Sequence, residues 1–419
     1  MPLSTYPVLL PGSPAPARLL DSATVRRLLW AVAAVLWTVM VAIQLRRASP
    51  HGWLDLRVYR DSVHQFLAGR PLYDIHVTEV HLPFTYPPVA IYLLAPLAWL
   101  PFPLAAGGLL VANGLLLLAT CWACLRTVSG GRPVMAAAAA LAGAALFLEP
   151  VWSALNFGQI DMLLMASVVL DVLVVPTRFR GILTGVLAAV KLTPLVFLLL
   201  FALRRDWGAV RRLLAAFAAL TAIAFVVLPH ESTFYWLHAV RDPRRIGPPV
   251  YVGNVSTYGA ALRVLGDNGP AHLMWLAVSG VVLVATLVVV RRSVVLGHRV
   301  APLALVALAG LLCSPISWDH HWVWMVVLAV AAVELWTWSR PAAWLAVVLV
   351  LSTALLQPKR IEVGQKSGAW PGYQRYLVSN VWLLLAYALL AVLLVAAVRP
   401  RPEAVRPVEP ASEPGHQRA

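Results

Sequence analysis

Apolar runs dominate the chain, and polar positions are confined to the stretches between them. Runs of about 15–23 residues recur from Leu28 almost to Val398, each long enough or nearly long enough to cross roughly 30 Å of hydrocarbon as a helix. The pattern predicts about twelve spans. They are 28–45, 87–100, 103–125, 134–148, 160–176, 181–203, 209–228, 272–290, 300–316, 321–338, 342–357 and 377–398.

This pattern indicates an all-α, polytopic membrane protein, because isolated strands would leave backbone groups unpaired in lipid. We expect one transmembrane domain over 28–398, a disordered cytoplasmic N-terminus over 1–27 and a disordered, proline- and charge-rich cytoplasmic tail over 399–419. Arg26-Arg27 place the N-terminus inside under the positive-inside rule, and the arginine-rich tail after Val398 is inside too, as an even number of spans requires.

The middle of the chain fits this topology less well. Arg178 and Arg180 fall outside if all the spans are real, and Lys191 then lies halfway through the span at 181–203. A re-entrant segment in this region would remove the conflict.

Three polar segments face the outer side in this topology: 46–86, 229–271 and 358–376. A short fourth, SPISWDHH at 314–321, lies at the outer end of a span. The first segment has apolar positions at helical spacing, which predict a short helix lying at the membrane interface. These positions are Leu56, Val58, Tyr59, Val63, Phe66 and Leu67.

Composition agrees with a membrane protein and limits its partners. Hydrophobic residues make up 60% of the chain and charged residues only 12%. The formal charge of +15 comes largely from arginines at the ends of apolar runs, where they act as cytoplasmic anchors. No basic stretch is interleaved with aromatic residues, so we expect no nucleic-acid partner.

Asp55, in the stretch WLDLRVYRD at 53–61, is the first candidate for chemistry. It comes soon after the first span, where a charge is costly unless it is paired or used. It could form an interfacial ion pair with an arginine of the next turn, which contributes little at a wet surface. Asp61 lies on a different face of the helix and is interpreted as a solvated or structural acid.

Further polar residues lie beside or within apolar runs. Asn156, Gln159 and Asp161 occur in LNFGQID and Lys191 in VKLTP. Ionisable residues inside membranes are functional candidates, although Lys191 could equally pair with an acid and the two amides could join helices. Tyr86, in LPFTYPP, could be an interfacial anchor.

SPISWDHHWVW contains the adjacent histidines His320 and His321. Adjacent residues on a helix point about 100° apart, and no third ligand at metal spacing follows, so we expect no metal site. One histidine facing an outer cavity could donate a hydrogen bond to an anionic phosphate.

These stretches, in this order, resemble family 87 of the C-type glycosyltransferases, the polyprenyl-phosphate-mannose-dependent mannosyltransferases of actinobacteria. The resemblance covers most of residues 46–330. It is carried by DLRVYRDSVHQFLAGRPLYD, LPFTYPP, NFGQID, AAVKLTPLVFLL, VGNVSTYGAALRVL and SPISWDHHWVW.

The resemblance implies a GT-C-type fold in which the first outer loop is helical and Asp55 is the general base. It implies an inverting α-1,2 transfer of mannose from polyprenyl-phosphate-mannose to a phosphatidylinositol mannoside, at the outer face of the plasma membrane. We expect no cofactor, no metal, a monomer, and the lipid donor, the glycolipid acceptor and membrane lipids as partners. The residues expected to bind the donor phosphate or substrate are Arg57, Tyr59, Arg60, Tyr86, Lys191, His320 and His321, with Arg244 and Arg245 as further phosphate candidates. Other polar candidates are Asn156, Gln159, Asp161 and Asn254.

Two alternatives stay open at the level of sequence. The same chemistry could branch a lipomannan or lipoarabinomannan. In a different class, Asp55 and Lys191 could bind cargo in a lipid flippase or transporter. The lack of an internal repeat between the halves counts against an inverted-repeat transporter.

Overall fold

The computed structural model describes residues 22–46, 52–357 and 372–399. Most of these residues are helical. The first nine α-helices, α1 to α9, are Ala23–Arg46, Leu54–Leu67, Ala90–Trp99, Phe102–Val128, Met135–Ala145, Glu149–Phe157, Asp161–Leu173, Ile182–Val190 and Leu198–Leu203. The following nine, α10 to α18, are Trp207–Val227, Pro229–Leu237, Thr257–Leu265, Gly269–Val295, Ala301–Cys313, Met325–Trp338, Arg340–Leu355, Gly372–Ser379 and Val381–Val398.

Shorter elements connect these helices. The 3-10 helices are Leu72–Asp74, Thr193–Phe197, Ala239–Arg241, Pro243–Ile246 and Asp319–Trp324. Two short strands, β1 (His76–Val77) and β2 (Leu82–Pro83), pair antiparallel, with His76 opposite Pro83 and Val77 opposite Leu82.

Several helices are long and apolar enough to cross a membrane, so the prediction of a helical membrane protein is confirmed at this level. Six stretches of the described chain meet the length and hydropathy requirement, or seven if the bent pair α5 and α6 counts as one span. The six are Ala23–Gln44, Phe102–Val128, Trp207–Val227, Gly269–Val295, Asp319–Trp338 and Val381–Val398. The prediction of about twelve spans is not confirmed, because several predicted spans are shorter helices. The 13-residue α14, for example, is only about 20 Å long, less than the roughly 30 Å of the hydrocarbon layer.

The segment expected as one span over 181–203 is divided in two. Helix α8 ends at Val190, Lys191 is extended, and Pro194 opens a 3-10 turn that leads into α9. Both ends of this segment lie together, because Arg180 forms a 3.3 Å ion pair with Asp206. Residues 182–203 therefore form a hairpin, here called the 182–203 hairpin, whose two legs meet near Lys191.

The same contacts decide where the arginines of this region lie. The Arg212 Nε–H donates to the Arg180 carbonyl (2.8 Å), and Arg204 donates to the Arg299 carbonyl (2.8 Å). Arg180 thus shares one end of the molecule with these arginines, instead of lying at the opposite end as uninterrupted spans would require. We call this cluster the arginine end.

The first outer segment folds as its pattern predicts. Helix α2 buries Leu56, Val58, Tyr59 and Val63, whereas Leu67, expected on the same apolar face, is 65% exposed because the helix ends there. Val58, Tyr59 and Val63 join a core cluster with side chains of β1, α3 and α11.

The boundaries differ in two places. Helix α1 begins at Ala23, so residues 23–27, expected in the disordered lead, are helical. The tail from 400 onward, residues 1–21 and most of the third outer segment at 358–371 lie outside the described residues.

Candidate active site

Asp55 lies in the first turn of α2, at the centre of the candidate site. Its side chain is half-buried, and its carboxyl accepts a hydrogen bond from the Gln159 side chain. Burial is the main cause that raises the pKa of the Asp55 carboxyl above its usual range. His320, Gln159 and Lys191 favour the charged form and oppose the shift, and the charge of Asp161 adds to it. A carboxylate with a raised pKa accepts a proton more readily than an ordinary aspartate.

Close packing sets the position of α2. The Trp53 backbone N–H donates to the Asn156 carbonyl (2.7 Å), and Trp53 adopts φ 65° just before the helix. Gly158, at φ +71°, lies so close that a Cβ there would be 2.8 Å from the Leu56 Cβ. The turn at 156–159 therefore holds the start of α2, and with it Asp55, in place.

Gln159 links Asp55 to two tyrosines. The Tyr59 hydroxyl donates to Gln159 Oε1 (2.9 Å) and lies 2.8 Å from the Tyr86 hydroxyl. The Tyr86 hydroxyl also approaches Gln159 Oε1, at 3.4 Å. Since Oε1 accepts from the tyrosines, the amide NH2 of Gln159 is the group that donates to Asp55. Burial raises the pKa of Tyr86 to about 12, so both tyrosines stay neutral donors.

A second polar group forms beside Asp55, where the 182–203 hairpin meets the start of α7. Lys191 Nζ lies 2.8 Å from Asp161 Oδ1 and 3.4 Å from His321 Nε2. His320 Nε2 is 4.0 Å from Asp161 Oδ2, and the two histidine rings are in edge contact at 4.8 Å. We call Asp161, Lys191, His320 and His321 the ionic cluster.

The ionic cluster also supplies what the sequence did not show, a third potential metal ligand near the histidines. Ligand atoms of Asp161, His320 and His321 all lie within 4.8 Å of one another. Asp161 is distant in sequence, so no metal spacing is visible. Lys191 Nζ already contacts Asp161 and His321, so a metal ion bound by all three would have to displace the ammonium group.

A cavity of about 410 Å³ begins at the ionic cluster. Asp161, Lys191 and His321 line its polar end, and the rest of the wall is largely apolar, with Phe197 and Trp324 among its residues. A charged end joined to an apolar chamber suits an amphipathic ligand with an anionic head group.

Asn254 lies away from Asp55 and organises the segment that carries the histidines. Its buried amide donates to the carbonyls of Pro249 (2.9 Å) and Pro315 (3.0 Å), and its Oδ1 accepts from the Ser317 N–H (2.8 Å). The Asp319 N–H donates to the Gly253 carbonyl (2.9 Å). Asn254 therefore holds the 315–319 segment, directly before His320.

The arginines expected at the phosphate are each engaged in other contacts. Arg57 and Arg60 both stack on the ring of Phe102, each 5.6 Å from its centroid. Arg245 donates to the Tyr73 carbonyl (2.9 Å), and Arg244 is exposed in a surface ion pair with Asp242 (3.0 Å).

Comparison with known proteins now adds to this geometry. The family model described as Glycosyltransferase family 87 matches residues 84–315. The chain is 34% identical over 412 residues to a polyprenol-phosphate-mannose-dependent alpha-(1-2)-phosphatidylinositol mannoside mannosyltransferase of Mycobacterium tuberculosis strain H37Rv, covering 92% of this chain and 96% of the relative. The chain belongs to glycosyltransferase family 87. The resemblance seen in the sequence motifs is thus confirmed.

Two further relatives agree with the family 87 assignment. The protein with the same description in Mycolicibacterium smegmatis is 37% identical over 363 residues, covering 78% of this chain and 81% of the relative. A polyprenol-phosphate-mannose-dependent alpha-(1-2)-phosphatidylinositol pentamannoside mannosyltransferase of Mycobacterium tuberculosis strain CDC 1551 is 31% identical over 379 residues. The match covers 86% of this chain and 88% of the relative. No solved structure matches the chain.

The family 87 match includes only part of the candidate site. Asp55 and both histidines lie outside residues 84–315, so their grouping with Lys191 rests on the geometry described above. Sequence reasoning missed Asn113, whose buried amide donates to the Gln159 carbonyl (3.2 Å). Its signal was a lone amide within the apolar run of α4.

Proposed function

We propose that this chain is an inverting α-1,2-mannosyltransferase that moves mannose from polyprenyl-phosphate-mannose to a phosphatidylinositol mannoside. The observation that carries the proposal is the placement of a half-buried carboxylate, Asp55, beside the ionic cluster, whose Asp161, Lys191 and His321 line a largely apolar cavity. The printed descriptions of the relatives supply the donor and the acceptor.

Asp55 acts as the general base. The acceptor hydroxyl must lose its proton as it attacks the anomeric carbon of the donor, and a carboxylate within hydrogen-bond reach can accept it. Gln159 orients the carboxylate while its own Oε1 is held by Tyr59 and Tyr86. Burial makes Asp55 a stronger base than a solvated aspartate, and this favours the proton transfer.

The ionic cluster stabilises the leaving phosphate. Negative charge grows on the polyprenyl phosphate in the transition state, and the Lys191 ammonium with an N–H of His321 or His320 can bind it. Asp161 orients Lys191 through the 2.8 Å contact. The apolar part of the cavity takes the first part of the polyprenyl chain. We propose that Lys191 provides the positive charge here and that no divalent metal is needed.

One displacement assisted by one base inverts the anomeric centre and turns a β-linked donor into an α-linked product. A second carboxylic acid is not required, because phosphate leaves without the protonation that a sugar alkoxide needs. Asp55 alone then serves as the proton acceptor. Asp161 is already engaged by Lys191.

The site opens to the outer face of the plasma membrane in this proposal. The arginine end is assigned to the cytoplasm by the positive-inside rule. The 13-residue α7 leads from that end to Asp161, a rise of about 20 Å. Asp161 therefore lies in the outer part of a hydrocarbon layer roughly 30 Å thick, near the depth of a polyprenyl phosphate.

The acceptor has a second candidate. One relative is described as acting on a phosphatidylinositol pentamannoside and is nearly as similar as the others. A longer acceptor would use the same base and the same donor site, so the two reactions differ only in the outer segments that hold the mannose chain.

The test is transfer by the purified protein in lipid vesicles, with polyprenyl-phosphate-mannose and either acceptor. We expect Asp55→Asn to lower kcat by about 10³-fold or more, since it removes the base. Asp61→Asn, on the same helix, is the matched control and should keep activity. Loss in Asp61→Asn with survival in Asp55→Asn would assign the base to the other acid. Activity lost in chelator and restored by manganese would contradict the metal-free proposal, and flux of lipid without transfer would favour a flippase.

A further inference from the structure

Two arginines share one aromatic ring on the side of α2 that faces away from the base. The guanidinium carbons of Arg57 and Arg60 each lie 5.6 Å from the ring centroid of Phe102. Arg57 is two residues after Asp55, a rotation of about 200° around the helix. The arginines therefore point away from the site of proton transfer, although they belong to the same helical turns.

Their surroundings place this pair at the depth of lipid head groups. Phe102 is the first residue of α4, a 27-residue helix long and apolar enough to span. Trp99, the last residue of helix α3, is 71% exposed, and Leu100, the next residue, is 42% exposed and contacts Arg60. Exposed tryptophan beside the first residue of a span is typical of the membrane–water interface.

The two arginines differ in how many of their N–H donors are already used by the protein. Arg60 donates from Nη1 to the carbonyls of Leu97 and Leu100, so it is held against the end of α3. Arg57 is exposed, and within the described residues no carboxylate lies within ion-pair distance of it. The N–H groups of a guanidinium lie in its own plane and point outward at its edge, where they match the paired oxygens of a phosphodiester.

We propose that Arg57 and Arg60 bind the phosphodiester of the phosphatidylinositol-based acceptor. This inference rests on the proposed function. The acceptor's phosphate is separated from its reacting hydroxyl by the inositol and mannose rings, and the arginines are separated from Asp55 by the width of α2, about 10 Å. The lipid phosphate would lie on the arginine side of α2. The sugars would pass the start of α2 and reach Asp55 on its opposite side.

The experiment compares two acceptors in vesicles of zwitterionic lipid. One is a phosphatidylinositol dimannoside, and the other is an alkyl dimannoside that lacks the phosphate. We expect Arg57→Gln to raise the KM of the first about 10-fold, the loss of one charge-assisted hydrogen bond. The KM of the alkyl dimannoside, the KM of the donor and kcat should stay unchanged.

Arg178 offers a matched control. It is also an exposed arginine stacked on an aromatic ring, 4.9 Å from the centroid of Phe179, but it belongs to the part of the molecule near the arginine end. Arg178→Gln should leave both acceptors unaffected. An equal rise of KM for both acceptors in Arg57→Gln, or a rise in the KM of the donor, would overturn the inference.

A bulk anionic lipid is the competing occupant. In that case the effect of Arg57→Gln would appear only in vesicles that contain added anionic lipid, and it would be the same for both acceptors. This outcome contradicts the proposal.

A binding measurement separates this inference from the proposed function. Native mass spectrometry of the detergent-solubilised chain with phosphatidylinositol dimannoside should show weaker retention in Arg57→Gln than in wild type or Arg178→Gln. Absence of any transfer by wild type would contradict the proposed function. Equal retention in all three proteins would refute the arginine site.

Discussion

The two ends of α7 each carry a buried aspartate, and their surroundings differ. Asp171 is fully buried, and its carboxylate accepts from the Gly181 N–H (2.9 and 3.0 Å), the Thr184 N–H (3.0 Å) and the Thr184 hydroxyl (2.6 Å). Asp161 is 5% exposed, accepts from Lys191 at Oδ1, and has no hydrogen-bond partner at Oδ2 among the described residues.

The difference indicates a structural role for one acid and a chemical role for the other. Asp171 caps the start of α8, where a negative charge is stabilised by the backbone N–H groups of a helix N-terminus. Asp161 faces a cavity and leaves bonding capacity unused, which is costly in a protein interior unless a ligand or a reaction uses it. Burial of an acid alone therefore does not distinguish the two roles. What distinguishes the two roles is whether both carboxylate oxygens have hydrogen-bond partners, as they do in Asp171.

Among the charged groups of the ionic cluster, removing the cation should have the largest effect. Lys191→Met deletes the ammonium group that binds the leaving phosphate and leaves the Asp161 carboxylate unpaired. We expect kcat/KM for the donor to fall by about 10³-fold, measured as initial rates of transfer in vesicles.

A double variant separates the chemical loss from damage to the fold. Asp161→Asn together with Lys191→Met removes both charges, so its thermal stability should exceed that of Lys191→Met while its activity stays low. Recovery of activity in the double variant would mean that Lys191 only neutralises Asp161 and does not bind the phosphate.

The next effect tests the two aspartates directly. Asp161→Asn should lower kcat about 100-fold, because Lys191 loses the partner that orients it. Asp171→Asn should instead destabilise the protein by about 3 kcal/mol and leave the kcat of the folded fraction near that of wild type, because its hydrogen bonds stabilise the hairpin. Thermal unfolding, monitored by size-exclusion chromatography, measures the change in stability. Transfer rates divided by the amount of folded protein measure the change in kcat. A lowered kcat in folded Asp171→Asn would remove the distinction between the two ends of α7.

The effect of Asp55 on stability is smaller and has a defined sign. Its folded-state pKa is raised, so the stability it contributes is fully present below the unfolded pKa and is lost as pH rises through the folded value. At neutral pH the ionised group therefore costs stability, and Asp55→Asn should show a higher Tm than wild type. The difference should vanish in acid, where Asp55 is protonated. A lower Tm at pH 7 would contradict the raised pKa.

The same raised pKa predicts the pH dependence of the wild-type reaction. The base must be ionised, so the rate should fall about tenfold per pH unit on the acid side, beginning above the range of an ordinary aspartate. Asp55→Glu should move this limb if Asp55 is the base. An unchanged profile would assign the titration to another group.

Local patterns in the sequence were sufficient for some of this arrangement. The amphipathic spacing of 54–67 predicted α2, and Asp55 was a candidate as the first of two acids that follow the first span. The same helical spacing puts Arg57 on the face opposite Asp55, so the separation of these two residues was also available from the sequence.

The ionic cluster depended on contacts that no local pattern contains. The run AAVKLTPLVFLL resembles part of one apolar span, and only Pro194 signals the break, since a proline disfavours the helical conformation at the residue before it. Once the chain reverses there, Lys191 meets Asp161 and His321 from distant segments. Asn254 was likewise visible only as a polar residue, because its role requires the 315–319 segment to pack beside it.

The smallest effects are expected for Arg244 and Arg245, two neighbouring arginines that the sequence alone does not distinguish. Arg245 donates to the Tyr73 carbonyl and stacks on Phe234 at 5.6 Å, so Arg245→Gln should lower stability by about 1 kcal/mol. Arg244 is exposed and pairs with Asp242 at the surface, so Arg244→Gln should leave both Tm and transfer unchanged. If Arg244→Gln instead raised the KM of the donor, this arginine would belong to the phosphate site, and the ionic cluster would not account for donor binding by itself.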